Sequence, residues 1–206
     1  MKWNVGKIDD NSIVIVIYYM YVEDIYGVDE VWVINLDRRT DRWNGLLEHI
    51  ASKKIMFRDL KRFSAIDSKS MSEREIKKVV NAKDLYLVKP DTKRKYHEQL
   101  TRGAVGCYLS HIELWKYAMN QNKTLMILED DVRFNDNFVA YNGNLHYDML
   151  FLRLIMRNQP FYDTESYAKP HLLFLMTGYL ITPSACEKLL KNALPMKYQI
   201  DSYISL

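Results

Sequence analysis

The residues of this 206-residue chain best suited to chemistry stand together in LMILEDDVRF, residues 125–134. Four apolar residues run straight into the carboxylates of Glu129, Asp130 and Asp131. An apolar run of this length with polar flanks reads as a buried strand. Three anions at one strand end repel each other, so the site calls for a divalent cation or a cluster of Lys and Arg. In an open α/β sheet, the carboxyl end of a buried strand is where ligands bind. The plainer account is a solvated acidic turn. In an extended segment Glu129 and Asp131 share one face and Asp130 takes the other, an acid-x-acid pair suited to a hard cation. A bend at the strand end would bring in Asp130 instead; Asp131 belongs to either arrangement. The remaining acids would then bind Arg or backbone N–H groups.

A second group of charges follows another short apolar run, VWVIN at 31–35, which predicts a central strand. Arg38, Arg39 and Arg42 come next. A guanidinium grips phosphate in a bidentate fashion. On the plainer account Arg39 and Arg42 pair with Asp37 and Asp41 on a helix surface.

The elements that must position these groups alternate along the chain. Thr40 or Asp41 is placed to cap a helix carrying Leu46, Leu47 and Ile50. Residues 58–66 read as a strand ending at Asp67. Ser72 and Glu75 have capping-box spacing for a helix to about Asn81. Residues 83–101, with Pro90 and many charges, read as a loop. Residues 103–120 give the strongest helical pattern, with Tyr108, Ile112, Trp115 and Met119 on one face. Gly103 and Gly106 bracket its start and allow close backbone approach. Residues 147–152 and 172–181 hold further strands. Thr182-Pro183 opens a last helix. The Ile13–Val22 run reads as a buried strand rather than a signal peptide, since acids flank it. Alternating strands and helices predict an α/β fold with a mostly parallel central sheet flanked by helices.

Bulk properties exclude several classes. Apolar residues make up 48% and charged residues 27%, ordinary values for one globular domain. No apolar run approaches the ~18 residues of a membrane span. Cys107 and Cys186 offer no disulfide framework, which suits a reducing compartment. With no signal, span or retention motif, the expected location is cytoplasmic, and the Lys-, Ile-, Asn- and Tyr-rich composition suits a viral or bacterial source. Net charge is +3 overall but +8 over residues 31–102, with eighteen Lys/Arg against ten Asp/Glu. That basic middle suits a phosphate-bearing ligand or an acidic partner. Oligomeric state is not legible, although the aromatic N-terminal strand is suited to pairing in a homodimer.

Seven blocks in order resemble glycosyltransferase family 25, the family of lipooligosaccharide and procollagen galactosyltransferases. They are VWVINLDRRTDR (31–42), RFSAID (62–67), TRGAVGCYLSHIELW (101–115), LEDDVRF (128–134), YDMLFL (147–152), TGYLITPSACEKLL (177–190) and ID (200–201). The form of the first block and the Arg-Phe after EDD resemble the procollagen branch more closely. The resemblance implies a single Rossmann-like nucleotide-sugar-binding domain of GT-A type over 31–206, with 1–30 as an extension or linker strand. It implies a UDP-sugar donor, Mn²⁺ (or Mg²⁺) as helper ion, and galactose or glucose as the sugar transferred. The acceptor hydroxyl would belong to a glycan or to hydroxylysine of a collagen-like protein. Residues 153–157, Arg-Leu-Ile-Met-Arg, depart from the Gly and basic pair common in relatives.

On this resemblance Asn35, Asp37 and Arg38 help hold the nucleotide, and Asp201 is an acceptor-side base or further metal contact. Glu129 and Asp131 are the expected metal pair, with Asp131 also catalytic and Asp130 on the donor side. Asp67 would accept hydrogen bonds from uracil or ribose, or shape its own turn. Gly103 lets the backbone approach the donor at the helix N-terminus. Ser110 and His111 lie a turn further on, where His111 would bind phosphate or orient a carboxylate; a lone helical His is more often structural. Cys107 reads as packing. Two other classes compete: an inactive transferase-like module binding sugar or protein, and a metal-dependent nuclease, disfavoured because its carboxylates should be more dispersed.

Overall fold

The computed structural model describes residues 5–7, 13–15, 21–80, 100–135, 138, 147–152 and 177–204. Strands β1 (Val5–Lys7) and β2 (Ile13–Ile15) form an antiparallel pair. Then come α1 (Val22–Tyr26), β3 (Glu30–Asn35), α2 (Thr40–Ser52), β4 (Leu60–Ser64) and α3 (Glu73–Val79). They are followed by α4 (Arg102–Gln121), β5 (Leu125–Glu129), β6 (Met149–Phe151), β7 (Gly178–Ile181), α5 (Pro183–Leu190) and α6 (Ile200–Ile204). The predicted loop at 83–99, the start of the 172–181 run and the departure at 153–157 lie outside the described residues.

The main sheet has the order β4-β3-β5-β7-β6. β3 pairs in parallel with both β4 and β5, whereas β7 pairs antiparallel with both β5 and β6. Among the described strands the sheet is therefore mixed: β7 alone runs against the other four. That departs from the expected mostly parallel sheet, and the reason is physical. Gly178–Ile181 is buried throughout, and a strand buried on both faces has the same apolar pattern in either direction.

Strand alternation divides the core into two layers. Val31, Val33, Met126, Leu128 and Leu180 face α1 and α2, meeting Val22, Tyr26, Leu46 and Ile50. Leu125, Ile127, Tyr179 and Ile181 face α3–α6, meeting Ile76, Ile112, Trp115, Cys186 and Ile200. Each fully buried aliphatic side chain contributes roughly 1.5–3 kcal/mol relative to exposure. Residues 22–30 share this core. The buried Glu23 carboxylate accepts the backbone N–H groups of Arg58 and Asp59.

The helix ends follow local chemistry. Ser72 and Glu75 form the complete capping box of α3, which stops at Val79. Thr182 caps α5 by accepting the Ala185 N–H. Two expectations are corrected. Thr40 is the first residue of α2, and the residue before it, Arg39, makes no side-chain cap. α4 begins ahead of Gly103, because the Thr101 hydroxyl accepts the Ala104 N–H and caps the helix there. Leu47 and Met119, assigned to apolar helix faces, are exposed, while Leu46, Ile50, Tyr108, Ile112 and Trp115 are buried.

Candidate active site

The carboxyl ends of β4, β3 and β5 lie side by side, with Ser64 opposite Asn35 and Ile34 opposite Glu129. This edge gathers most of the residues singled out above. β5 ends in a turn in which the Val132 N–H donates to the Glu129 carbonyl. The turn breaks the strand alternation and sends the three acids to three environments.

Asp130 swings inward. Its carboxylate is almost wholly buried and accepts one bond from Asn35 Nδ2 and one from Arg42 Nη1, both at 2.8 Å. Both of its oxygens are thereby committed. Asn35 is engaged at both ends of its amide: Nδ2 also donates to the Arg39 carbonyl, and Oδ1 accepts from Arg62 Nε at 2.9 Å. Asn35 thus ties β3, β4 and the acidic turn together.

Asp131 stays half exposed, with Arg42 3.8 Å away. Burial raises its pKa, and the neighbouring Glu129 and Asp130 raise it further against the opposing pull of Arg42. Glu129 points toward α4. Its Oε1 lies 3.4 Å from His111 Nε2 and 3.5 Å from Cys107 Sγ. Burial first, then the charges of Glu129, Asp201 and Asp131, push the Cys107 thiol well up. Cys107 is therefore a neutral thiol, in keeping with a packing role; Asp201, in the first turn of α6, adds to the negative charge felt there.

The other predicted residues divide into pairs. Asp37 accepts from Ser64 Oγ at 2.7 Å and from Arg62 Nη2 at 2.6 Å, which lowers its pKa. Arg38 Nε donates to Asp67 at 2.7 Å, the main cause of a lowered Asp67 pKa. Arg39 pairs with Asp41, the plainer account given above, whereas Arg42 pairs with Asp130 instead. Ser110 is wholly buried: its hydroxyl accepts the Ile66 N–H and donates to the Gly106 carbonyl. Gly103 is exposed in the first turn of α4. Sequence reasoning did not single out Arg62, Ser64 or Tyr179. Arg62 and Ser64 lie two apart on β4 and so share the face toward Asp37, a signal available only once β4 is paired with β3.

The donor set fits a hard divalent cation at Glu129 and Asp131. The charges of Glu129 and Asp130 act on Asp131, and the Arg42 guanidinium, at 3.8 Å, offsets them. Asp130 is bonded at both oxygens by Arg42 and Asn35.

Open α/β sheets bind ligands at the carboxyl ends of their strands, and this sheet gathers acids and guanidinium groups there. Residues 28–174 match the family described as Glycosyltransferase family 25 (LPS biosynthesis protein), and the chain belongs to that family. A "Glycosyltransferase 25 family member" of Anopheles gambiae is 28% identical over 199 residues, which is 89% of this chain and 32% of the relative. "Procollagen galactosyltransferase 2" of Homo sapiens is 37% identical over 118 residues, 56% of this chain and 17% of the relative. "Procollagen galactosyltransferase 1-A" of Xenopus laevis is 30% identical over 191 residues, 85% of this chain and 30% of the relative. The chain thus spans a third or less of the length of these relatives. Among the described residues no helix is long and apolar enough to cross a membrane.

Proposed function

We propose that this domain, of GT-A type, transfers a hexose, galactose or glucose, from a UDP-sugar to an acceptor hydroxyl with Mn²⁺ or Mg²⁺ as helper ion. The acceptor in this reading is hydroxylysine of a collagen-like chain or a glycan, in line with the relatives named procollagen galactosyltransferases. The observation that carries it is the acid cluster at the end of β5. Asp131 has a raised pKa because it is partly buried beside Glu129 and Asp130, an arrangement a bound cation would relieve.

Glycosyl transfer breaks the bond between the anomeric carbon and the diphosphate oxygen, so negative charge gathers on the leaving group. Glu129 and Asp131 would hold a cation, which would supply compensating charge there. Arg42 holds Asp130 and the turn in place and adds positive charge beside it. Asn35, through Arg62 and the Arg39 carbonyl, keeps the carboxyl ends of β3 and β4 in register with that turn. Arg38 and Asp67, an exposed pair on the neighbouring edge, are the groups assigned to the nucleotide, with Asp37 beside them. Asp201 is the candidate base for the acceptor hydroxyl.

The test is UDP release from UDP-galactose and UDP-glucose, with Mn²⁺ or with EDTA. One donor should be hydrolysed in a metal-dependent way, and Asp131→Ala should lower the rate by about 10²–10³-fold. UDP binding without turnover of either donor would leave a non-catalytic binding module in its place.

A further inference from the structure

We propose that a buried hydrogen-bond chain of fixed polarity, running from Trp115 through Tyr179 and His111 to Glu129, makes His111 the positioning residue for the Glu129 carboxylate. This deepens the transferase reading and rests on its assignment of Glu129 to a cation.

The polarity follows from donor inventories. Trp115 Nε1–H can only donate, and it donates to Tyr179 Oη at 2.9 Å. The same oxygen lies 2.7 Å from His111 Nδ1. Among the described residues these are the two partners of the Tyr179 hydroxyl, and of the two only Nδ1 can accept. The single hydroxyl proton therefore goes to Nδ1. A neutral imidazole whose Nδ1 accepts carries its own proton on Nε2. Nε2 faces Glu129 Oε1 at 3.4 Å.

Burial gives the chain its force. Trp115, Tyr179 and His111 are all essentially inaccessible to solvent. Hydrogen bonds in such surroundings are electrostatically stronger, and linked ones polarise one another. The Cys107 thiol approaches the same oxygen, Oε1, at 3.5 Å. Both contacts fall on Oε1, so His111 and Cys107 act on the same oxygen of the carboxylate.

The opposite arrangement is chemically distinct. Ligand atoms of Cys107, His111 and Glu129 lie within 4.8 Å of one another, as they would around a thiophilic ion. That use needs a bare Nε2 and hence a proton on Nδ1. The Tyr179 hydroxyl proton would then have no acceptor among the described residues.

The deciding measurement is ¹⁵N NMR of histidine-labelled, metal-free full chain, with the His111 signals assigned by their loss in His111→Gln. The expected result is a bare Nδ1 and a protonated Nε2. Tyr179→Phe should lose that tautomer bias, and its Mn²⁺ dissociation constant, read by EPR of free Mn²⁺, should rise about 10-fold or more. His111→Gln puts an amide N–H near the place of Nε2–H, so it should keep much of the Mn²⁺ affinity that His111→Leu loses. A proton on Nδ1, or on both nitrogens, overturns the proposal. So does a Tyr179→Phe variant that binds Mn²⁺ like the wild type. Wild-type protein that binds no Mn²⁺ would instead bring down the metal assignment of Glu129, and the positioning role with it.

Discussion

The guanidinium of Arg42 closes on the buried carboxylate of Asp130 at 2.8 Å, joining the start of α2 to the turn after β5. A buried carboxylate that loses such a partner keeps its desolvation cost. Arg42→Ala should therefore destabilise the domain by about 1–3 kcal/mol, less than a wholly buried pair because the Arg42 side chain is 42% exposed. Urea denaturation of Arg42→Ala, Asp130→Ala and the double variant would show the two losses to be non-additive. Additive losses would mean that the pair is not coupled.

Gly106 admits no side chain. A Cβ there would stand 2.3 Å from the Ile66 carbonyl oxygen and 3.1 Å from the Ser68 nitrogen, both backbone atoms that cannot step aside alone. Gly106→Ala should cost about 1–3 kcal/mol through overpacking, despite the better helix propensity of Ala. A midpoint in denaturant equal to or above that of the wild type would refute the close approach.

Asp131 should reveal itself through pH. Its folded pKa is raised above the ordinary 3.8, first by burial and then by Glu129, so the folded state holds its proton more tightly than the unfolded chain. Ionised Asp131 therefore costs stability above its folded pKa, and that cost fades as pH falls through it. In the absence of metal, Asp131→Asn should melt a few degrees higher than wild type at pH 7, with the gap closing as pH falls toward 3.8. A gap that widens in acid would reverse the assigned sign.

Glu30 has the opposite behaviour at the far end of β3. Burial opposes its ionisation, but bonds from Lys123, Lys61, Trp32 and Tyr117 together outweigh it and bring the pKa from 4.5 to about 2. The resulting stability is complete above pH 4.5 and is lost as pH falls through about 2. Glu30→Gln should cost on the order of 1–3 kcal/mol at neutral pH, allowing for screening at the lysines, and flatten acid unfolding over that window. Thermal melts at stepped pH would check it; identical profiles for the two proteins would count against the cluster.

Much of this architecture was legible in the sequence. The apolar runs of β3 and β5, the Ser72–Glu75 box and the Thr182-Pro183 start each rest on local chemistry, and each stands where expected. The direction of β7 was not legible, because Tyr-Leu-Ile buried on both faces carries no orientation. Within the site, the acid-x-acid geometry assumed an extended strand, and the Glu129–Val132 turn removes that premise just where it matters. Ser110 was a donor-site candidate by its place in a helix start. Its hydroxyl donates locally to the Gly106 carbonyl and accepts the Ile66 N–H, a contact between segments 44 residues apart that no local pattern encodes.

Helix α4 touches the sheet at both ends. Near its start Gly106 and Ser110 seat against Ile66; one residue on, His111 meets Glu129; and six residues further Tyr117 reaches Glu30. From His111 to Tyr117 is about 9 Å of helix rise. The helix thus works as a ruler laid across the domain, with its graduations fixed to the segment after β4, to β5 and to β3. One residue inserted between His111 and Tyr117 would turn the far contact by about 100° relative to the near one. Length in this segment is therefore as constrained as residue type, and substitutions should be tolerated there far more readily than insertions or deletions.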